Sequence, residues 1–130
     1  MIYLDASALV KIVVSEPESG ALLAFLRSRP ERMSSALSLT EVPRALRRAH
    51  FDAAVRRRAQ RVLARLALID VDRRILSAAA ALEPSALRTL DAIHLATALV
   101  VREDLDGLVT YDRRLAAAAE RLDLEVLAPS

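Results

Sequence analysis

Four acidic residues stand at positions where chemistry is the natural reason for a carboxylate. Asp5 and Asp112 each follow a short apolar segment that predicts a buried strand, and Glu41 and Asp91 stand near the starts of predicted amphipathic helices. In a parallel sheet, the ends of strands and the starts of the following helices lie at one edge. We therefore expect the four carboxylates to gather in one cleft.

The chemistry of such a cluster follows from its charge and its donor atoms. Carboxylates held together repel one another unless a cation or a proton compensates their charge. The chain has no cysteine and only two histidines, so oxygen is the donor present in quantity. Oxygen ligands suit Mg²⁺ or Mn²⁺ rather than zinc. Because such ions activate water and offset the charge of a phosphodiester under attack, the cluster predicts metal-dependent phosphodiester hydrolysis.

Each acid also has a structural interpretation, since carboxylates in the first turn of a helix accept hydrogen bonds from free N–H groups. Taken alone, Asp91 is better explained by capping, and for Asp5 both interpretations stay open. The segment Ser38–Glu41 matches a capping box. Pro43 is tolerated only in a first helical turn, however, which favours Thr40 as the cap and leaves the glutamate free to point elsewhere.

His94 stands three residues after Asp91, on about the same side of the same predicted helix. A general base is one possible role for it. Water on a metal ion needs no imidazole to be deprotonated, so we expect a packed or partly exposed histidine in a supporting role.

Strands and helices alternate over the whole length. Predicted strands are Ile2–Leu4, Met33–Ala36, Leu68–Val71, Leu108–Tyr111 and Leu124–Leu127, and predicted helices are a segment from Ala8, then Ala21–Leu26, Ser38–Arg48, Asp52–Leu66, Arg73–Leu82, Thr89–Leu99 and Arg113–Arg121. Short apolar strands without clean alternation suit a parallel sheet covered on both faces. The pattern therefore predicts one α/β domain over residues 1–130, a sandwich with a mostly parallel central sheet.

The apolar spacing within two helices predicts their buried faces. The helices are those that carry Glu41 and Asp91, and helical periodicity assigns one side of each to the core. The predicted buried residues are Leu39, Val42 and Leu46 in the first helix and Leu90, Ile93, Ala96, Leu99 and Val100 in the second.

The composition narrows the classes of partner. The chain has 130 residues and a formal net charge of +2, and all but one of its 19 cationic residues are arginine. Guanidinium groups near the acids suit the flanking phosphates of a polynucleotide, although genome composition explains the arginine bias better and ordinary surface charge better explains at least half of these arginines. The arginines concerned are Arg44, Arg47, Arg48, Arg113 and Arg114. With only two Tyr and two Phe, the chain lacks an aromatic row on which unpaired bases stack.

No apolar run approaches the roughly 18 residues of a membrane span, and the first residues do not resemble a signal peptide. We therefore expect a cytoplasmic protein without a membrane partner. The absence of cysteine is consistent with a reducing compartment.

Four segments together carry a family resemblance: Tyr3–Val10, Ser38–Val42, Leu90–Ala96 and Val109–Leu115. Each is weak alone, but all four in this order resemble the PIN-domain ribonucleases, and within them the VapC toxins of toxin–antitoxin pairs. The resemblance covers essentially the whole chain. It implies a PIN-like α/β/α sandwich, Mg²⁺- or Mn²⁺-dependent endonucleolytic cleavage of RNA, inhibition by a VapB-like antitoxin that occupies the acidic cleft, and a homodimer.

The resemblance also implies a role for each matching residue. Asp5 and Asp91 correspond to the principal metal ligands, and Asp112 to a further ligand, direct or through water. Glu41 corresponds to the residue that positions or deprotonates the attacking water. The supporting hydroxyl groups are those of Ser7 and Thr110.

Other protein classes also place aspartates at the ends of parallel strands. A haloacid phosphatase needs a second Asp two residues after the first, where this chain has Ser7, and a receiver domain needs a late-strand lysine, whereas the only lysine is Lys11. A non-catalytic PIN-like module that binds a partner protein stays open as the alternative function.

Overall fold

The computed structural model describes all residues from Met1 to Ser130 and is built on a five-stranded sheet. All its strand pairs are parallel, in the spatial order β3-β2-β1-β4-β5, which confirms the predicted sheet. The central strand β1 is buried along its whole length, as expected of a strand covered on both faces. The strands are β1 (Ile2–Leu4), β2 (Arg32–Ser35), β3 (Ala67–Ile69), β4 (Gly107–Val109) and β5 (Val126–Leu127).

Seven helices cover the two faces of this sheet. They are α1 (Ala6–Val13), α2 (Ser19–Leu26), α3 (Ser38–Arg48), α4 (Ala53–Ala64), α5 (Arg73–Ala80), α6 (Thr89–Val100) and α7 (Arg113–Arg121). Side chains of β1 alternate between the two faces. Ile2 and Leu4 pack in a cluster with α1 to α4, whereas Tyr3 packs with α6 and α7. No helix has the length and apolar character that crossing a membrane would require.

Aspartates begin four of the helices. Asp5, Asp52, Asp72 and Asp112 are the N-cap residues of α1, α4, α5 and α7, and each accepts a hydrogen bond from a backbone N–H of the first turn. These caps satisfy donors that a helix otherwise leaves free, so they define where each helix starts. For two of the candidate site residues, Asp5 and Asp112, capping and a position at the sheet edge occur together.

The predicted cap of α3 is wrong. The helix begins at Ser38, so Thr40 is not its cap and Pro43 lies inside the helix. The capping box does not form, because the Ser38 hydroxyl bonds Ser34 Oγ at 2.8 Å instead. The proline removes only the N–H that would bond the carbonyl of Leu39, a residue on the exposed side where water can replace it.

The predicted buried faces are correct in the middle of α3 and α6 and wrong at their ends. Val42, Leu46, Ile93 and Ala96 are buried, whereas Leu39, Leu90 and Val100 are exposed. Periodicity specifies the side of a helix but not which residues of that side another element covers. In the first turns of α3 and α6, Ser38 and Ala92 are buried while Leu39 and Leu90 are exposed.

Candidate active site

The structure places Asp5 and Asp112 beside each other at the carboxyl edge of the sheet. Strands β1 and β4 are paired, with Leu4 opposite Val109, so the residues that follow each strand leave the sheet together. The pairing continues one step further, because the backbone N–H of Asp5 donates to the Val109 carbonyl at 3.3 Å. Topology alone thus brings together two of the acids that the sequence separates by most of its length.

Asp5 is a buried carboxylate, 3% exposed, with donors on both oxygens. Its Oδ1 accepts from Ser7 Oγ at 2.7 Å and from the Ala8 N–H at 2.9 Å, and its Oδ2 accepts from Thr110 Oγ1 at 2.6 Å. Burial raises the pKa of Asp5, and the two hydroxyl groups act in the opposite direction. These bonds hold the carboxylate in one orientation.

The two hydroxyl groups also tie the strand ends together. Ser7 Oγ accepts from the Tyr111 N–H at 3.0 Å and lies 3.5 Å from Thr110 Oγ1. Thr110 Oγ1 in turn accepts from the Asp112 N–H at 3.1 Å. Tyr111, predicted in the strand, lies beyond it because its N–H is used here and not in the sheet. Both residues predicted to support the site therefore contact Asp5.

Asp91 differs from Asp5 in having no hydrogen bond to relieve its charge. It lies in the first turn of α6 but caps no N–H group, so the structural interpretation favoured for it alone is wrong. The pKa of Asp91 is raised, first by burial and then by the charges of Asp112 and Asp5, with a smaller contribution from Glu41. All four predicted carboxylates thus interact electrostatically, although they stand on different elements of the fold.

The side chain of Glu41 is bonded to that of His94, a buried residue that is 1% exposed. The Nε2 atom of His94 lies 2.5 Å from Glu41 Oε1, and its Nδ1 lies 2.8 Å from the Tyr3 hydroxyl. The tyrosine and histidine rings meet edge to face, with centroids 5.9 Å apart. His94, expected in a supporting role, thus contacts Tyr3 with one ring nitrogen and Glu41 with the other. Tyr3 was missed, although a tyrosine in a buried strand needs a partner for its hydroxyl.

Two open grooves meet at the acids. One, of about 370 Å³, is lined by Glu41, Ser7 and Leu90 together with Arg44 and Arg48. The other, also about 370 Å³, is lined by Ser7, Asp112 and residues around Lys11. Ser7 and Val10 belong to both, so the grooves adjoin and form one cleft with Glu41 on one side and Asp112 on the other, while Asp5 and Asp91 belong to neither lining. A larger cavity of about 690 Å³, lined by α1, α2 and α4, contains none of the four acids, so size does not identify the site.

The arginines of the chain are not neutralised by its acids. The ion pairs are those of the Met1 amine with Asp106 and of Lys11 with two glutamates, and Glu41 has the imidazole of His94 as its partner. No arginine nitrogen lies within 4.0 Å of a carboxylate oxygen. Arg44 and Arg48, which line the cleft, are therefore available to an external anion.

The carboxylate oxygens are the type of donor that a hard cation such as Mg²⁺ binds, but they do not form a complete coordination shell. No three of the His, Asp and Glu side chains are grouped so as to hold a metal ion by themselves. Oxygen atoms remain available, because the backbone N–H groups that Asp112 caps use its Oδ1 and leave Oδ2, and Asp91 caps nothing. Mg²⁺ fits such a set, since it takes one or two carboxylates and retains several waters.

Comparison with known proteins adds an independent finding. The PIN domain model matches residues 2–121. Ribonuclease VapC46 of Mycobacterium tuberculosis is 53% identical over 129 residues, which cover 99% of this chain and 98% of that protein.

Two solved structures share the fold. The M. tuberculosis toxin VapC20, which cleaves the sarcin–ricin loop, superimposes with a TM-score of 0.74 at 18% identity, covering 91% of this chain and 95% of that one. A toxin–antitoxin complex from Klebsiella pneumoniae gives a TM-score of 0.74 at 22% identity, covering 100% and 98%. At these identities the likeness concerns the fold.

Proposed function

The chain belongs to the PIN-domain family and, within it, to the VapC ribonucleases, and from this premise we propose that it is a metal-dependent endoribonuclease acting as the toxin of a VapBC-type pair. The proposed cofactor is Mg²⁺, with Mn²⁺ as a substitute. The observation that carries the proposal is Asp91, whose charge meets three further carboxylates in a cleft and has no hydrogen bond to offset it. Uncompensated acids in a cleft are typical of catalytic sites.

Asp5, Asp91 and Asp112 would hold the ion. Their oxygens are of the type that Mg²⁺ and Mn²⁺ prefer, and their mutual repulsion is what a bound cation would offset. When bound, the ion supplies positive charge to the phosphodiester under attack and makes water more acidic. Ser7 and Thr110 hold Asp5 in the orientation that this requires.

Glu41 is proposed to orient the attacking water and to accept its proton. His94 occupies Oε1, so Oε2 is the oxygen free to do so in the groove that Glu41 shares with Ser7. The water oxygen forms a bond to phosphorus as the bond from phosphorus to the leaving oxygen breaks, and the proton passes to Oε2. The carboxylate then returns this proton to solvent, from which the leaving oxygen takes a proton.

Arg44 and Arg48 are proposed to bind the phosphates beside the scissile bond. They stand one helical turn apart on α3, line the same groove as Glu41 and pair with no acid of the chain. Phosphate contacts of this kind position a polynucleotide without reading its sequence.

The proposed protein partners are a VapB-like antitoxin and a second copy of the chain. The Klebsiella pneumoniae relative is a toxin–antitoxin complex, and we extend that arrangement to this protein, with the antitoxin over the acidic cleft. Leu39, Leu76 and Leu90 are exposed on α3, α5 and α6, which supports a homodimer that covers apolar surface.

Cleavage of structured and unstructured RNA by the purified protein, with Mg²⁺, Mn²⁺ or a chelator, tests the proposal. We expect cleavage with either metal, none with chelator, and none by Asp5→Asn or Asp91→Asn. Asp72→Asn is the matched control, since Asp72 caps α5 without lining either groove and asparagine caps equally well. Cleavage that survived chelation or both site substitutions would overturn the proposal, and antitoxin binding without any cleavage would favour the interaction module.

A further inference from the structure

A chain of three hydrogen-bonded side chains runs from the core of the molecule into the cleft. It joins Tyr3 on β1, His94 on α6 and Glu41 on α3, and its links are 2.8 Å and 2.5 Å long. We propose that His94 is a positioning residue for Glu41, held in its working orientation by Tyr3. This inference rests on the proposed function, in which Glu41 handles the proton of the attacking water.

Burial of His94 needs an explanation that core packing does not supply. The residue is 1% exposed in a helix whose other buried side chains are aliphatic or small, apart from Thr97. An apolar side chain would fill this space without a polar group to satisfy. Instead both ring nitrogens have partners, and one of these partners is a carboxylate at the wall of the cleft. The imidazole therefore connects the core to the site.

The direction of the hydrogen bonds follows from Glu41. A carboxylate has only acceptor oxygens, so the contact with Oε1 requires a proton on Nε2 of His94. With the ring proton on Nε2, Nδ1 of the neutral ring accepts from the Tyr3 hydroxyl. The tyrosine thus stabilises the tautomer in which the histidine points a donor at the carboxylate.

The effect on Glu41 is to remove its conformational freedom. Glutamate is among the side chains with the most rotamer freedom, and a free glutamate at a cleft wall samples many orientations. With Oε1 held by a buried ring, the carboxylate has one oxygen fixed and the other, Oε2, left for the groove. A base must lie within hydrogen-bond reach of the proton it accepts, so this restraint bears on the rate of the chemical step.

Steady-state kinetics on RNA tests the inference through two His94 variants. We expect His94→Leu, which removes the donor, to lower kcat by about 10- to 100-fold with little change in KM, as for other residues that orient site ligands. His94→Gln should recover part of this loss, because its amide N–H can reach Glu41, and Tyr3→Phe should lower kcat by less than His94→Leu. The control His50→Asn alters the only other histidine, which is exposed and has a φ of 60° that asparagine tolerates.

A double variant separates positioning from a general structural role. In a Glu41→Ala background there is no carboxylate to position, so adding His94→Leu should cost no further activity. An equal loss in both backgrounds, or a His94→Gln variant as slow as His94→Leu, would overturn the inference.

A measurement without RNA keeps the inference separate from the proposed function. Nitrogen-15 NMR of the ring atoms in the wild-type protein should show His94 with a proton on Nε2 and none on Nδ1, and Tyr3→Phe should shift this balance. Only two histidines need to be assigned. A proton found on Nδ1 alone overturns the inference even in an active enzyme. If the wild-type protein cleaves no RNA, the proposed function fails, whereas the NMR result still decides whether His94 holds Glu41.

Discussion

Two groups of charged side chains lie side by side at the cleft, and they differ in how their charge is balanced. Lys11 bonds Glu16 and Glu18 at 2.9 Å each and lies 4.9 Å from the centroid of the Tyr111 ring. Hydrogen bonding to Glu18 raises the pKa of Lys11, and the same bond lowers the pKa of Glu18. This group, the Lys11 cluster, is complete within the chain.

The acidic group has the opposite character, although Lys11 and Asp112 line the same groove. The only lysine of the protein pairs with other glutamates, and the acids are left to repel one another at Asp91. Charged groups that pair within the chain stabilise the fold. Carboxylates that the fold holds together without a compensating charge are suited to binding an external cation or substrate. Five predictions test this contrast.

The largest effect is expected from Asp91→Asn. RNA cleavage should fall by at least about 100-fold, a loss typical of removing one preorganised charged group from an active site. The melting temperature at pH 7 should stay the same or rise, because the substitution removes repulsion and no hydrogen bond. Cleavage assays and thermal melts check this. A markedly lower melting temperature would show that the charge of Asp91 is compensated within the chain, as the charges of the Lys11 cluster are.

Mg²⁺ should stabilise the wild-type protein and not Asp91→Asn. An ion that binds only the native state at 100 times its dissociation constant adds about 2.7 kcal/mol to the free energy of unfolding. Calorimetry across a Mg²⁺ titration, with chelator as the starting point, measures this difference. Equal stabilisation of both proteins would place the binding site elsewhere.

Thr110→Val should lower both stability and activity. The substitution removes the donor to Oδ2 of the buried Asp5 and the acceptor for the Asp112 N–H. An unsatisfied buried group of this kind costs about 1–3 kcal/mol. Urea denaturation measures the loss. Thr97→Val is the matched control, since the buried Thr97 hydroxyl donates to the Ile93 carbonyl of its own helix and bonds neither Asp5 nor Asp112, and it should cost less.

The pH dependence of stability should distinguish the wild-type protein from Asp91→Asn. The pKa values of Asp5 and Asp91 are raised in the folded state, so between the unfolded value, about 4, and the raised values the native state binds more protons. Stability from these groups is therefore highest at low pH and falls as the pH rises through that window. The free energy of unfolding of Asp91→Asn relative to wild type should increase from pH 4 to pH 7. A difference that shrinks would contradict the repulsion.

The smallest effect is expected from Lys11→Met. Glu16 and Glu18 are half-buried, so after losing Lys11 they can still be hydrated, and ion pairs that water reaches contribute little. We expect a melting temperature a few degrees lower at low salt, a smaller difference at high salt, and RNA cleavage at the wild-type level. A large loss of cleavage without loss of stability would show that the Lys11 cluster serves the site after all.

Prediction from sequence succeeded where local patterns carry the information. The apolar run of β1, the aspartates that begin helices and the boundaries of α7 follow from interactions within a few residues of the chain. It failed for the cap of α3 and the exposure of Leu90. The first depends on the contact of Ser38 with Ser34, which requires β2 to lie beside the helix start, and the second on which elements pack against the first turn of α6.

By itself, the sequence determined the alternation of elements and therefore the edge at which the acids meet, because strand ends and helix starts coincide in any parallel sheet. Only the tertiary structure decided what each acid experiences there. Asp5 accepts hydrogen bonds from two hydroxyl groups, whereas Asp91 has no hydrogen bond and is repelled by the other acids. Glu41 contacts His94, which in turn bonds Tyr3 in the first strand. Hydrogen bonds form only within a few tenths of an ångström of their preferred length, and packing alone sets distances that finely between residues remote in sequence.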